Sequence, residues 1–270
     1  MNEYVIIGNG VAAAGCIEGI RSRDPEGGIT VISEEKHAVY CRPLISYYLQ
    51  GKTDQERMRY RAEDFYERMC CRVLFGQKAV RILPAEKTVC LEDGEKIPYT
   101  HLCIAAGSAP FVPPFEGLES VREKYSFMTL DDALALEQAA EPDSRVLIVG
   151  AGLIGLKCAE GLTGRVGSVT VCDLADRVLS SILDSECAGL MQKHLEEQGV
   201  RFFLSDSVAR FEGKTAHMQS GQDVDFDLLV LAVGVRANIS LLREAGGETD
   251  RGILIDERMR TSLDGIYAAG

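Results

Sequence analysis

Two short glycine-rich segments contain the residues whose types and spacing point to chemistry. The first has the sequence GNGVAA over Gly8–Ala13, and the second has GAGLIG over Gly150–Gly155. In such loops the first glycine allows a tight turn, the second lets the backbone approach a pyrophosphate, and the small third residue lets helix and strand pack closely. Free N–H groups and the dipole of the following helix stabilise phosphate charge. Both segments therefore predict dinucleotide-binding loops.

An acidic residue follows each loop after a second β-rich run. Glu34 ends the run 29–34, and Asp173 ends the run 168–173. A carboxylate about 20 residues past such a loop normally binds ribose hydroxyls. The alternative is two ordinary strand-turn-helix units, and the two acids argue against it. Two loops predict two dinucleotides held face to face, an arrangement that moves a hydride between them.

Regular elements must position these loops in an α/β fold. Apolar strands are predicted directly before the loops, and helices of small residues directly after them. A proline-rich stretch, 108–114, reads as a crossover between two domains. We expect a discontinuous first domain, 1–107 plus 238–270, and a second domain, 108–237. The predicted strands are 4–7, 29–34, 72–75, 78–83, 88–91, 102–105, 146–149, 168–173 and 228–233, and the predicted helices are 11–23, 64–69, 131–139, 153–162 and 184–198.

Composition excludes several classes of function. The 270 residues are 46% hydrophobic and 26% charged, with a net charge of −12 that argues against a nucleic-acid-binding surface. No apolar run is long enough to cross a bilayer, and we expect no signal peptide. Nine cysteines without disulfide, zinc or iron–sulfur spacing indicate reduced thiols and no metal site. These features predict a cytoplasmic protein.

Six motifs in order carry a resemblance to a known family. The chain resembles the FAD-dependent pyridine nucleotide-disulfide oxidoreductases with two Rossmann-like domains. It is similar in particular to NADH:rubredoxin reductases, the flavoprotein part of NADH-dependent nitrite reductase, and apoptosis-inducing factor. The motifs are 5–10, 33–35, 40–44, 104–110, 150–155 and 261–270.

The resemblance implies that the first domain binds FAD and the second binds NAD(H). It places Glu34 on the adenosine ribose, Arg42 near the FAD phosphates or adenine, and the Val80 backbone against the adenine. Asp173 would hold the nicotinamide-nucleotide ribose and disfavour NADPH, although Arg177 lies nearby and could soften that preference. The implied FAD residues are Gly8, Gly10, Val11, Ala12, Ser33, Glu34, Arg42, Val80, Ala106 and Gly107. The implied NAD residues are Gly150, Gly152, Leu153, Ile154, Gly155, Asp173 and Gly234.

The activity implied is hydride transfer from NADH to FAD, with electrons passing onward to an acceptor. The acceptor would be a rubredoxin-like or iron–sulfur protein, a partner subunit or a small molecule, and a homodimer is possible. One alternative is a thiol-dependent peroxidase or disulfide reductase that uses Cys41. A second is an NADH-sensing interaction protein similar to apoptosis-inducing factor.

The chain departs from the family pattern at three places. The sequence ends at Gly270, where relatives continue with an aspartate and a C-terminal interface domain, so we expect a truncated protein. Neither the CxxxxC nor the CxxC redox motif is present. Cys41 could be activated by Arg42, but a structural thiol is favoured, as it is for Cys70 and Cys71.

The third departure exchanges two charges. Many relatives place lysine at the position of Tyr47 and glutamate at that of Lys157. Lys157 is therefore a candidate for a cation beside the flavin, where positive charge would stabilise the reduced form. The alternative is a solvent-exposed helix lysine. No residue is assigned as a catalytic acid or base, since the cofactors carry the chemistry of hydride transfer.

Overall fold

Parallel β-sheets form the centre of each of two units in the computed structural model, which describes residues 1–270. The first unit contains residues 1–41, 59–109 and 236–270, and the second contains 42–58 and 110–235. The two boundaries near 108 and 236 lie close to the expected ones. The segment 42–58 differs, since we expected it in the first unit.

The first unit has a five-stranded parallel sheet with the order β18-β7-β1-β2-β3. Residues on β1 alternate between two cores: Val5 and Ile7 face one side, and Ile6 faces the other. A strand buried on both faces reads as a continuous apolar run, as β1 does. The strands are β1 (Glu3–Ile7), β2 (Gly28–Ser33), β3 (Cys71–Phe75), β7 (His101–Ile104) and β18 (Ile266–Ala268).

Each face of this sheet is covered by a different element. The core around Ile6 includes Ala13, Ala14 and Ile17 of helix α1 (Val11–Arg21). The opposite core includes residues of an antiparallel meander, whose hairpin turn has Gly94 at φ +91°. The meander consists of β4 (Ala79–Leu83), β5 (Thr88–Leu91) and β6 (Lys96–Pro98), and the unit also contains α3 (Phe65–Arg68) and α7 (Ser240–Glu244).

The second unit repeats this plan with the sheet order β12-β11-β10-β16-β9. Its core packs Leu147 and Val149 of β10 against Phe211 and Phe226 in and beside a second antiparallel meander. The sheet strands are β9 (Lys124–Tyr125), β10 (Arg145–Val149), β11 (Ser168–Asp173), β12 (Val200–Leu204) and β16 (Leu228–Leu231). The meander strands are β13 (Val208–Glu212), β14 (Thr215–Met218) and β15 (Asp223–Asp225).

The longer helices of the second unit begin where their sequence predicts. Thr129 caps α4 (Leu130–Ala139) in a capping box with Asp132, and Asp184 caps α6 (Ser185–Glu197) through the Cys187 amide. Helix α5 covers Leu153–Leu162, as predicted. Two short strands, β8 (Ser108–Pro110) and β17 (Val235–Ala237), form a separate two-stranded sheet. None of the helices combines the length and apolar character that crossing a bilayer requires.

Segment 42–58 packs in the second unit for identifiable reasons. Its helix α2 (Ile45–Leu49) buries Leu49, whose side chain lies against Gly161 of α5. The Tyr48 hydroxyl donates to Glu137 of α4 at 2.8 Å, and Arg165 donates to the Leu49 carbonyl. These partners lie about 90 residues or more along the chain, so local sequence patterns did not show them.

Candidate dinucleotide-binding sites

The first glycine of each loop makes the same turn and the same hydrogen bond. Gly8 has φ +105°, and its N–H donates to the carbonyl of Ile32 on β2 at 2.8 Å. Gly150 has φ +115°, and its N–H donates to the carbonyl of Cys172 on β11 at 2.8 Å. A Cβ at Gly8 would lie 2.1 Å from the Ala105 oxygen, and one at Gly150 would lie 2.3 Å from the Ala232 oxygen. Only glycine fits either position.

The second glycine of each loop faces open space. A Cβ built on Gly10 or Gly152 meets no atom within 4 Å. Each of these glycines is also the N-cap of the following helix, and neither helix has a side-chain cap. By contrast, α4 and α6 are both capped by side chains. The first turns of α1 and α5 therefore keep N–H groups for an anion, which fits the pyrophosphate of a dinucleotide.

The third position differs between the loops. Ala13 is fully buried and its methyl group is accommodated in the core of the first unit. A Cβ at Gly155 would lie 1.9 Å from the carbonyl oxygen of Gly150. Helix α5 thus approaches its loop more closely than the alanine-containing form would allow. Both positions are small, as the loop pattern requires.

The two acids have different partners. The Glu34 carboxylate is exposed and accepts a hydrogen bond from Lys78 Nζ at 2.9 Å. The Asp173 carboxylate accepts from the N–H of Ala151, inside the second loop, at 2.6 Å, and from the N–H of Ala175 at 2.8 Å. Asp173 is consequently fixed against its loop, whereas Glu34 is held only by a surface lysine.

Several other predicted FAD residues meet at one cavity of the first unit. This cavity measures about 900 Å³ and is lined by Ala12, Ala106 and Gly107, among others. Asn238 also lines it, and its side-chain amide donates to the Ala106 carbonyl at 2.8 Å. The Asn238 N–H donates to the Gly107 carbonyl at 2.9 Å. Sequence reasoning missed Asn238, whose only signal is an amide residue just after a strand that returns to the first unit.

The remaining predicted residues lie apart from that cavity. Ser33 is buried and donates to the Glu35 carbonyl at 2.7 Å, while Val80 is exposed on β4. Arg42 lies in the second unit, where Nη1 donates to the Met128 carbonyl at 2.7 Å. The roles of Arg42 and Val80 toward FAD stay predictions. Gly234 has φ +123° and its carbonyl accepts from Phe111 N–H at 2.9 Å.

Apolar side chains are exposed at the start of both loop helices. Val11 is 46% exposed and Leu153 is 57% exposed, each at the first position of its helix. Ile154, which follows Leu153, is half-buried. These exposed apolar groups lie next to the uncapped N–H groups, so a bound ligand could cover both.

Lys157 is half-buried within a cluster of side chains from α2 and α5. Its ammonium lies 4.9 Å from the centroid of the Tyr47 ring and 2.5 Å from a carboxylate oxygen of Glu160. Burial raises the pKa of the Glu160 carboxyl, but neighbouring groups, chiefly the hydrogen-bonding ammonium of Lys157, lower it by more, so the net pKa falls below its usual value. The two positions at which the resemblance predicts an exchange of charge are therefore neighbours in the structure.

All nine cysteines are free thiols. Cys41 is half-buried, and the Cys70 backbone has φ +46° at the end of α3. Burial raises the pKa of the neighbouring Cys71 to about 11, which makes this thiol a poor nucleophile at neutral pH. The sequence contains neither a CxxxxC nor a CxxC motif.

The loops, their acids and the paired parallel sheets agree with a comparison against known families. Residues 2–270 match the profile of the pyridine nucleotide-disulphide oxidoreductases. The chain belongs to this family of oxidoreductase enzymes. The predicted family and the predicted pair of Rossmann-like units are thereby confirmed.

Similar proteins align in sequence with nearly the whole chain. The epsilon subunit of NADH-dependent phenylglyoxylate dehydrogenase from Aromatoleum evansii is 32% identical over 99% of the chain and 64% of its own length. Nitrite reductase [NAD(P)H] from Bacillus subtilis is 32% identical over 99% of the chain and 34% of its own length. Rubredoxin-NAD(+) reductase from Pseudomonas putida is 30% identical over 98% of the chain and 70% of its own length. The chain thus spans between about a third and about 70% of these relatives.

Solved structures of similar proteins show the same fold. Putidaredoxin reductase in its covalent complex with putidaredoxin has a TM-score of 0.91 at 28% identity, covering 100% of the chain and 67% of the reductase. Water-forming NADH oxidase from Lactobacillus brevis, bound to NADH, has a TM-score of 0.91 at 25% identity, covering 100% and 62%.

Proposed function

We propose that the chain is the dinucleotide-binding part of an NADH-dependent flavoprotein oxidoreductase. The observation that carries this proposal is the duplicated loop, in which an open second glycine and an uncapped helix N-terminus occur together twice. A single such loop would fit one dinucleotide. Two of them, each directly after the central strand of its own five-stranded parallel sheet, fit two.

FAD is assigned to the first unit. The cavity of about 900 Å³ beside Ala106 and Gly107 gives room for a large cofactor next to the Gly8–Ala13 loop. Bound there, FAD would supply the hydride-accepting and electron-passing chemistry. The chain would contribute the phosphate-facing N–H groups of Val11 and Ala12, and Asn238 would fix the 106–107 backbone that faces the cavity.

NADH is assigned to the second unit. The Gly150–Gly155 loop would bind the pyrophosphate, and Asp173 would accept hydrogen bonds from ribose hydroxyls. Because the Asp173 carboxylate is fixed against the loop, it would repel the additional 2′-phosphate of NADPH. An oxidase of similar fold is bound to NADH in its solved structure, which supports this assignment.

The acceptor is proposed to be a small electron-carrier protein. Relatives are named for rubredoxin and ferredoxin reduction, and a similar reductase is joined to putidaredoxin in its solved structure. The chain lacks the disulfide motifs that would take electrons within the protein itself. Its nine free thiols also favour a reducing compartment, and we propose the cytoplasm.

An absorption spectrum tests the proposal. Purified protein reconstituted with FAD is expected to retain the yellow cofactor, to lose flavin absorbance on anaerobic addition of NADH, and to respond more weakly to NADPH. Adding rubredoxin or ferredoxin should restore the absorbance. Cys41→Ser should leave turnover unchanged. Loss of turnover in this variant would favour the thiol-dependent alternative. A protein that takes up no flavin would overturn the proposal, and a long-lived reduced complex that alters assembly would favour the sensor.

Lys157 is proposed to tune the reduction potential of the bound flavin. Its support is the contact with Tyr47, which joins the two positions at which the resemblance predicts an exchange of charge. Glu160 partly balances the lysine charge, so the effect should be smaller than that of an unpaired cation. Lys157→Met should shift the midpoint potential, while Lys193→Met on the exposed face of α6 should not. An unchanged potential in Lys157→Met would reject the role.

A further inference from the structure

The middle residue of each glycine loop is anchored in a different way. In the second loop the N–H of Ala151 donates to the carboxylate of Asp173 at 2.6 Å. In the first loop the corresponding acid, Glu34, contacts Lys78 instead. The middle residue of the first loop is Asn9, whose side chain makes two hydrogen bonds to residues outside the loop. The first loop therefore obtains from a side chain an anchor that the second loop obtains from its acid.

The hydroxyl of Tyr66 lies at the centre of these contacts. It donates to Oδ1 of Asn9 at 2.8 Å and accepts from the N–H of Val39 at 3.0 Å. Nδ2 of Asn9 donates to the carbonyl oxygen of His37 at 3.2 Å. Because a carbonyl oxygen can only accept, this contact fixes the direction in which the Asn9 amide faces. We refer to Asn9, Tyr66 and segment 37–39 together as the Tyr66 bridge.

The Tyr66 bridge is held in place by packing at both ends. Tyr66 is half-buried on α3, and its ring makes edge contacts with Phe65 and Phe75, with centroids 5.2 Å and 5.9 Å away. Burial raises the pKa of Tyr66 above its usual value, so the hydroxyl stays protonated at neutral pH and can donate. Val39 is 2% exposed, and its carbonyl oxygen accepts from the N–H of Tyr60 at 3.0 Å.

We propose that Tyr66 is a positioning residue for the first dinucleotide loop and acts through Asn9. By joining the loop to segment 37–39, the Tyr66 bridge fixes the backbone between the first two glycines, and with it the uncapped N–H groups at the start of α1. N–H groups that are held in place before binding lose less entropy when they bind a pyrophosphate. The inference rests on the assignment of FAD to the first unit, and it names a residue outside the loop that sets the affinity for FAD.

Two substitutions break the Tyr66 bridge at different points. Tyr66→Phe keeps the ring and its packing but removes the hydroxyl partner of Asn9 and of the Val39 N–H. Asn9→Ala gives the first loop the Gly-Ala-Gly sequence of the second loop. In that variant Glu34 does not supply the contact that Asp173 makes to the second loop. Because both substitutions release the same loop, their effects on FAD affinity should not add.

A double-mutant cycle on FAD affinity tests the proposal. Dissociation constants for FAD are measured by flavin fluorescence for the unsubstituted protein, Tyr66→Phe, Asn9→Ala and the double variant. Each single substitution should weaken FAD binding about tenfold, as for a hydrogen-bonding group left without its partner. The double variant should bind FAD no more weakly than the single variants, because the two residues act as one unit. Additive losses, about hundredfold in the double variant, or an unchanged affinity in Tyr66→Phe would overturn the proposal.

Two controls separate positioning from a general loss of stability. Tyr125→Phe removes the hydroxyl that donates to Glu123 in the second unit, and it should leave FAD affinity unchanged. NADH affinity and the free energy of unfolding are measured for every variant, and Tyr66→Phe should bind NADH as the unsubstituted protein does. A lower free energy of unfolding together with unchanged FAD affinity in Tyr66→Phe would show a merely structural role and would overturn the proposal.

Hydrogen exchange of the flavin-free protein measures the Tyr66 bridge independently of FAD. In Tyr66→Phe the Val39 amide loses its acceptor and should exchange about tenfold faster. The Gly8 amide, which donates to Ile32, should exchange faster in both Tyr66→Phe and Asn9→Ala. Unchanged exchange of both amides in Tyr66→Phe would overturn the inference. If the unsubstituted protein takes up no FAD, the proposed function fails, and these exchange rates alone decide whether the Tyr66 bridge holds the loop.

Discussion

The two units form the same glycine turn, but the residues around that turn differ between them. In both, the first glycine donates its N–H to the next strand and has no room for a Cβ, and the second glycine opens onto free space. The third position is Ala13 in one unit and Gly155 in the other. The acid after the second strand is an exposed Glu34 in one and a loop-bound Asp173 in the other.

The sheets differ in the origin of their fifth strand. In the first unit β18 comes from the end of the sequence, and in the second unit β9 comes before the rest of its sheet. Both strands pair in parallel with the strand that follows the meander. The shared features are thus those of the glycine turn itself, whereas the third loop position, the acid and the origin of the fifth strand differ between the units.

The largest difference between the units should be the effect of substitutions at the third loop position on the free energy of unfolding. Gly155→Ala places a methyl group 1.9 Å from the Gly150 oxygen, so α5 must move. We expect a loss of about 3 kcal/mol in the free energy of unfolding, in the range of overpacked cores, and loss of NADH binding. The matched change Ala13→Gly should cost only about 1 kcal/mol, since it adds a helix glycine without a clash. Urea unfolding followed by circular dichroism measures both, and equal losses would contradict the structural difference.

The next largest difference between the units should be the effect of their acids, Asp173 and Glu34, on nucleotide affinity. Asp173→Asn removes the charge that faces the ribose and should weaken NADH binding about tenfold, as for a hydrogen bond to a charged group. NADPH binding should change little, so the ratio of the two affinities falls. Glu34→Gln should weaken FAD binding and leave that ratio unchanged. Calorimetric titration of each variant with both nucleotides measures the ratio, and an unchanged NADH preference in Asp173→Asn would remove Asp173 from the site.

The smallest effect concerns stability in acid. In the second unit, hydrogen bonds from the Arg145 side chain and backbone and from Lys214 lower the pKa of Asp227. In the first unit, Asn2 and the Gly27 amide lower the pKa of Asp24 to about 2. A lowered carboxyl pKa stabilises the folded state above the usual value of about 4, and this contribution is lost as the pH falls toward the folded-state value.

Single amides at these aspartates test that pH dependence. Asp227→Asn should lower the Tm by about 3 °C at pH 7, and the difference from the unsubstituted protein should shrink between pH 4 and pH 2. Asp24→Asn should do the same with a smaller amplitude, because the donors to Asp24 are neutral whereas those to Asp227 include Arg145 and Lys214. Thermal unfolding across that pH range provides the check. A difference that stays constant down to pH 2 would show that ionisation of these carboxylates does not contribute.

Local patterns were enough for the elements that carry the loops. Helix α5 has the predicted bounds, and α1 ends two residues before the predicted end, because apolar strands, glycine turns and helix signals all act over a few residues. Short edge strands such as β6 and β9 have too few residues to show a period. The placement of 42–58 depends on contacts with Glu137, Gly161 and Arg165, which no local pattern reveals.

Local sequence patterns also failed to predict parts of the candidate site, because these parts depend on contacts between distant residues. The side chain of Asn238 reaches the Ala106 carbonyl, which lies more than a hundred residues earlier in the sequence. The spacing rules that identify metal or disulfide motifs apply to neighbours in sequence and cannot find such pairs. Glu34 and Asp173 look equivalent in sequence, and only the folded chain distinguishes the exposed acid from the one bonded to its loop.

The central claim is that each loop holds its own dinucleotide, and crossed binding measurements test it most directly. Gly10→Ala and Gly152→Ala fill open space without clashing with the fold, so each should block one phosphate site alone. FAD and NADH dissociation constants are measured for both variants. We predict at least about tenfold weaker FAD binding only in Gly10→Ala, and equally weaker NADH binding only in Gly152→Ala. Unchanged affinities in both variants, or FAD released by Gly152→Ala, would contradict the account.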